Sequence, residues 1–203
     1  MSEFVYNEDT RLHTLSGKRI PSVSQVNEPL TDFTMIPEEV LKRKTELGTQ
    51  FHEAIRLYFH DDLDHDSLDP DLVKPMTAFH KWWKYESKVA AIHDADMAIE
   101  CAAVHPTLKY CGKPDLSIHE DTVYDFKLRQ YNRITDTLQL EAYKHMISRK
   151  RLDLYTVCFT LDGKITMHDS RHPKAWGIFR KMLERWYRER EFNNLMTQWK
   201  GVN

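Results

Sequence analysis

Asp115 and the triplet Asp125-Phe126-Lys127 place two carboxylates and an ammonium on what read as consecutive strands, a combination suited to phosphoryl chemistry. Side chains alternate between faces along a strand. Across Val123–Leu128, Asp125 and Lys127 therefore share one face, while Tyr124, Phe126 and Leu128 share the other, apolar one. Whether Asp115 joins the charged face depends on the loop, because a one-residue slip exchanges the faces. A two-residue loop at Glu120-Asp121 pairs Asp115 with Phe126. A three-residue loop at His119-Glu120-Asp121 sets it opposite Asp125, with Cβ atoms about 5 Å apart. The chemistry needs the second register, so an odd-length loop or a bulge is expected. Pro114 cannot donate to a sheet ladder, which predicts a kink just before Asp115. Two carboxylates so close repel unless a cation lies between them. Hard oxygen donors select Mg²⁺ or Mn²⁺, which polarise phosphoryl oxygens and acidify water. Lys127 is placed to hold such a water or offset charge on the phosphorane. Taken alone, an Asp-x-Lys triplet is far better read as a surface hairpin with ordinary solvated charges.

Other segments must bring partners to this pair. Pro37-Glu38-Glu39 opens a helix, since proline suits the first turn and acids suit the N-terminal dipole. Leu47, Phe51, Ile55 and Tyr58 then trace an apolar line, with His52 at its edge. Glu100 lies on an expected strand, Met97–Val104. Gln139 and Tyr143 share a flank of an amphipathic helix, Ile134–Lys150, whose inward face is Ile134, Leu138, Ala142, Met146 and Ile147.

Asp115, Asp125-Phe126-Lys127, Gln139 and Tyr143, together with the helix Leu47–Ile55 and the early Ile20-Pro21-Ser22-Val23-Ser24, resemble the PD-(D/E)XK nuclease superfamily. The branch most resembled holds RecB-type nuclease domains, CRISPR-associated RecB-like exonucleases and the mitochondrial genome maintenance exonuclease. The resemblance spans about Pro21 to Thr160. It implies an α/β fold with a restriction-endonuclease-like core, a central mixed β-sheet flanked by helices. It also implies a Mg²⁺/Mn²⁺-dependent DNA exonuclease acting on single strands or ends in replication, recombination or repair. Asp115, Asp125 and Lys127 would be catalytic. His52, Asp115, Asp125, the Phe126 backbone carbonyl and Glu100 would hold the metal, and Gln139, Tyr143, Ser22, Ser24, Thr49 and Arg129 would contact DNA. Asp125 stands where glutamate is commoner in that motif, and a histidine donor shifts preference towards Mn²⁺.

Composition narrows the possibilities. The 203 residues suit one domain, expected over 21–203 behind a flexible arm at 1–20. A formal net charge of −2 confines any DNA contact to local basic clusters. No apolar run approaches membrane-spanning length, so no membrane partner is expected, and a cytoplasmic location is. Cys101, Cys111 and Cys158 are too few to cage an iron–sulfur cluster with cysteine alone, and none is expected. The acidic run His60–Asp71 invites a calcium loop, but Ser67 and Val73 occupy its glycine and bidentate glutamate positions.

The remaining elements are a helix over Leu72–Val89, strands Leu154–Leu161 and Lys164–His168 around the turn Asp162-Gly163, and a last helix from Pro173 to about Trp199. The basic residues of that helix suit either a solvated surface or steering of a phosphate backbone. Three other functions compete. One is a structure-specific DNA endonuclease. Another is a non-cleaving DNA-binding partner of a recombination or replication protein. The third is a phosphohydrolase built on the dyads His60-Asp61, His93-Asp94 and His168-Asp169.

Overall fold

The computed structural model describes residues 3–7, 12–93, 96–119, 121–147 and 152–200. Its centre is a five-stranded mixed sheet in the order β10-β9-β8-β7-β4, with helices on both faces, making an α/β fold. β8 (Thr122–Lys127) runs parallel to β9 (Asp153–Phe159) through the crossover helix α4 (Arg133–Ile147). β7 (Leu116–Ile118), β4 (Met97–Ile99) and β10 (Ile165–Asp169) complete the sheet by antiparallel pairing. The β9–β10 hairpin closes at Asp162-Gly163, where Gly163 takes a φ of 84°.

Alternation along β8 assigns its side chains to two layers. Tyr124 and Phe126 pack with Leu116, Ile118, Val157 and Phe159 against α2 (Glu38–Phe59) and α3 (Val73–Val89). Leu47, Phe51, Ala54 and Ile55 form the buried stripe of α2, as its spacing predicts. On the opposite face, Val123 and Leu154 meet α1 (Val23–Asn27), α4 and α5 (Ala175–Lys200). Asp125 and Lys127 share that second face, so two charged groups lie beneath a helix layer.

α4 is covered on more sides than an amphipathic surface helix. Polar Thr135, Asp136, Thr137 and Glu141 are buried along with Leu138, Leu140, Ala142 and Tyr143. Ile134, expected to face inward, is 63% exposed. It stands in the first turn, where Asn132 Oδ1 caps its N–H and the inward positions go to the capping network. Residues 148–150 of the expected helix lie outside the described residues.

Two further expectations are corrected. The arm at 1–20 contains a small antiparallel meander of β1 (Phe4–Asn7), β2 (Leu12–Leu15) and β3 (Lys18–Ile20). Ser16 and Gly17, both at positive φ (49° and 75°), make the two-residue turn that suits the twist of paired strands. The strand Met97–Val104 is not continuous. It breaks after Ile99 at Glu100, whose φ is 47°, and resumes as β5 (Ala103–Val104) against β6 (Cys111–Gly112). Ile99 pairs with Leu116 and Ala103 with Gly112, so register is kept across the break. β4–β5 and β6–β7 are one ribbon bent at Glu100 and at Lys113-Pro114-Asp115, where Pro114 predicts a kink.

Candidate metal centre

The β7–β8 register decides whether a site exists. Leu116 pairs with Tyr124 and Ile118 with Thr122, leaving residues 119–121 as the loop. This is the odd-length connection that the chemistry requires, and it sets Asp115 level with Asp125. Glu120, at its centre, lies outside the described residues. The bend in the ribbon ends backbone pairing just before Leu116, which leaves the Phe126 N–H without a β7 carbonyl. Asp115 Oδ2 accepts from it instead, at 2.7 Å.

Three elements converge on Asp115. Its Oδ1 lies 3.2 Å from His52 Nδ1 on α2. Its backbone carbonyl accepts from the Glu100 N–H at 3.0 Å, which fixes Glu100 across the ribbon. One donor atom each from His52, Glu100 and Asp115 lies within 4.8 Å of the others, a group able to hold a metal ion. Lys113 Nζ meets Glu100 Oε2 at 2.6 Å, a cation already drawn to this concentration of negative charge.

Asp125 stands behind this group, wholly buried beneath α4. Its Oδ1 accepts from Gln139 Nε2 at 2.8 Å. Lys127 Nζ lies 2.7 Å from Oδ2 and donates to Gln139 Oε1 at 3.2 Å. Gln139 Nε2 also reaches the Tyr143 hydroxyl, at 2.9 Å. Asp125 Oδ2 is thus paired with the Lys127 ammonium, which meets its charge inside the protein.

Electrostatics separate the two aspartates. Burial pushes Asp125 up to about 6, with Asp115 adding to the rise and Lys127 opposing it. Burial acts on Asp115 in the same sense, yet His52, Lys127 and the Phe126 N–H outweigh it and hold its carboxyl below the usual range. His52 responds in kind: burial draws it down, but Asp115 raises it overall. Lys127 is also kept charged against burial by Asp125 and Asp115.

The sequence also proposes strand-contacting residues, and the structure sorts them. Ser22 is the N-cap of α1: its hydroxyl accepts from the Gln25 N–H at 3.2 Å, in a reciprocal capping box. Ser24 is exposed at the lip of a groove that Gln139 and Arg129 also line. Arg129 is anchored to fully buried Asp136 (Nη1 to Oδ2, 3.0 Å). Thr49 faces a different hollow on the outside of α2, its hydroxyl turned back to the Thr45 carbonyl at 3.0 Å. Among the described residues, no metal-competent group forms around His60-Asp61 or His168-Asp169, and Asp94 of the third dyad lies outside them.

Sequence reasoning missed Gly112 and Lys113. A Cβ on Gly112 would stand 2.6 Å from Tyr143 Cε1, so glycine makes room for the ring that ends the network. Its position at the head of Gly-Lys-Pro-Asp was the only available sign, and the sign does not say which ring it admits. Cys101 is exposed, and Cys111 and Cys158 are buried free thiols. No protein-family profile and no curated protein matches this chain.

Proposed function

We propose that the chain is a divalent-metal-dependent deoxyribonuclease built on a PD-(D/E)XK-type core. The observation that carries this reading is Asp115 level with Asp125 across the hairpin, with Lys127 on the same face. His52, Glu100 and Asp115 would hold the ion, and Asp125 stands beside them as a buried carboxylate paired with Lys127. Mixed nitrogen and oxygen donors favour Mn²⁺ over Mg²⁺. When bound, the ion supplies Lewis acidity to a phosphoryl oxygen and acidifies water.

The chain's own groups do the rest. Lys127 stays protonated beside Asp125 and offsets negative charge gathering on the attacked phosphate, where fixed charges act most strongly. Gln139 ties Asp125, Lys127 and Tyr143 into one unit, so α4 sets the geometry of the acids on β8. The His52 imidazole, braced by Asp115, fixes the position of α2 over the site. The groove lined by Gln139 and Arg129 is open and leaves room for a polymeric substrate, and DNA as that polymer is what the motif resemblance implies.

Cleavage of end-labelled DNA with Mn²⁺ tests the reading. Asp125→Asn and Lys127→Ala, each verified as folded by circular dichroism, should cut at least about 10²-fold more slowly, the scale of losing a positioned acid–base or charge-stabilising group. Parental rates in both variants would falsify the assignment.

A further inference from the structure

Each acid of the centre has a basic partner. Asp125 has Lys127, Asp115 has His52, and Glu100 has Lys113, whose Nζ lies 2.6 Å from Oε2. The partners differ in exposure. Lys127 stands behind the site with 14% of its side chain exposed, whereas Lys113 reaches Glu100 from the open rim with 55% exposed. Glu100 is also one of the three residues able to hold an ion. A divalent ion and an ammonium on one carboxylate are like charges a few ångströms apart, and they oppose each other. Lys113 is the partner that yields at least cost, because it regains hydration and rotamer freedom on letting go. Glu53, the next acid within reach of its charge, is already bound by Arg56 at 2.6 Å.

The charge of the centre then changes sign. Glu100, Asp115 and Asp125 outnumber Lys113 and Lys127 by one negative charge. With a divalent ion bound, and His52 neutral as a metal ligand must be, the excess is one positive charge. A phosphodiester carries the single negative charge that matches it. An ammonium on a flexible arm is a point charge with three donors, suited to a phosphate oxygen. We infer that Lys113 is an exchangeable counter-ion: it holds Glu100 until a divalent ion takes that carboxylate, and then binds a phosphate oxygen of the strand at the centre. The inference rests on the nuclease reading and deepens it, because metal must then precede DNA and a second lysine holds the phosphate from the open side.

Two affinities test the exchange, and they must move in opposite directions. Free Mn²⁺ is followed by its electron paramagnetic resonance signal as protein is added. Lys113→Gln, an exposed change, should bind Mn²⁺ about three- to tenfold more tightly than the parent, the scale of removing one partly exposed charge beside a doubly charged ion. A fluorescent single-stranded oligodeoxynucleotide with cleavage-resistant phosphorothioate linkages gives the second affinity. With Mn²⁺, Lys113→Gln should weaken its binding about three- to tenfold and lower the slope of log affinity against log salt by about 0.7, the share of one phosphate on a single strand. In EDTA, where Glu100 keeps Lys113, the two proteins should differ by less than about twofold at 0.1 M salt. Lys113→Arg should restore the parental values. Looser or unchanged Mn²⁺ binding in Lys113→Gln would mean that the ammonium props Glu100 as a ligand or takes no part. A strand affinity that falls equally in EDTA, or that is indifferent to Lys113 with Mn²⁺, would reduce it to a surface charge. Either result overturns the exchange. Cleavage is read separately. A parent that cuts while neither affinity shifts keeps the nuclease and loses the exchange, and opposite shifts without cutting do the reverse.

Discussion

Lys127 and Asp125 each depend on the other for their burial. The Asp125 carboxylate is fully buried and pairs with the Lys127 ammonium at 2.7 Å, with Gln139 bridging the two. Deleting one member of a buried pair leaves an uncompensated charge and typically costs about 3–5 kcal/mol. Lys127→Met should therefore lower stability by that amount at neutral pH, read from urea unfolding. The double variant Asp125→Asn, Lys127→Met should recover much of it, because nothing charged is then stranded. A cost under about 1 kcal/mol for Lys127→Met would mean that water reaches Asp125, contrary to its burial. These two residues were legible in the sequence because a strand's two-residue period fixes which side chains share a face. Lys113 was not. Its contact with Glu100 exists only because the ribbon bends at a left-handed φ that residue types did not announce.

Elements set the site through close approach and through helix ends. α4 can lie flat on the β5–β6 ribbon only because Gly112 has no Cβ to meet Tyr143. Gly112→Ala forces the ring aside, an overpacking change worth about 1–3 kcal/mol. It should also slow cleavage, since the Tyr143 hydroxyl no longer meets Gln139. Melting temperature and rate should fall together. Gly48 behaves oppositely. A Cβ there meets nothing within 4 Å, and glycine inside a helix costs about 0.5–1 kcal/mol relative to alanine. Gly48→Ala should raise stability by that amount. It should also slow cleavage, because the methyl group stands one turn from His52 on the open side of α2. A gain in stability with no loss of rate would show that substrate does not pass over that face. In the last turn of α4, His145 stacks on Trp176 with ring centroids 3.8 Å apart. Burial, then Lys144 and His105, pull its pKa down to about 4. The fold thus favours the neutral ring, so its contribution is complete above the unfolded value of about 6.5 and is lost as pH falls towards 4. His145→Gln should flatten the dependence of the urea midpoint over that window.

At the scale of the molecule, the sequence disclosed layers better than edges. The periods of α2 and β8 and the Asp162-Gly163 turn were plain, because each follows from local spacing. The N-terminal meander was not, since its strands are short and its turn is a Ser-Gly pair rather than a stronger signal. The convergence of His52, Glu100 and Asp115 is a tertiary fact: they come from a helix, a strand break and a kink far apart in the chain. That separation yields the last expectation. An ion held by all three ties the helical layer to the ribbon and binds the native state alone, so it stabilises by mass action. Mn²⁺ at about a hundred times its dissociation constant should add about 2.7 kcal/mol, which in a chain of this size is roughly 5–10 °C in Tm. EDTA should reverse the shift. Asp115→Asn should abolish it, because that carboxylate offers an oxygen to the three-residue group and meets His52 directly. Asp62→Asn, in the acidic loop after α2, should leave it whole. Were the loop variant to lose the shift and Asp115→Asn to keep it, the cation would belong to the loop and the two facing aspartates would need another explanation.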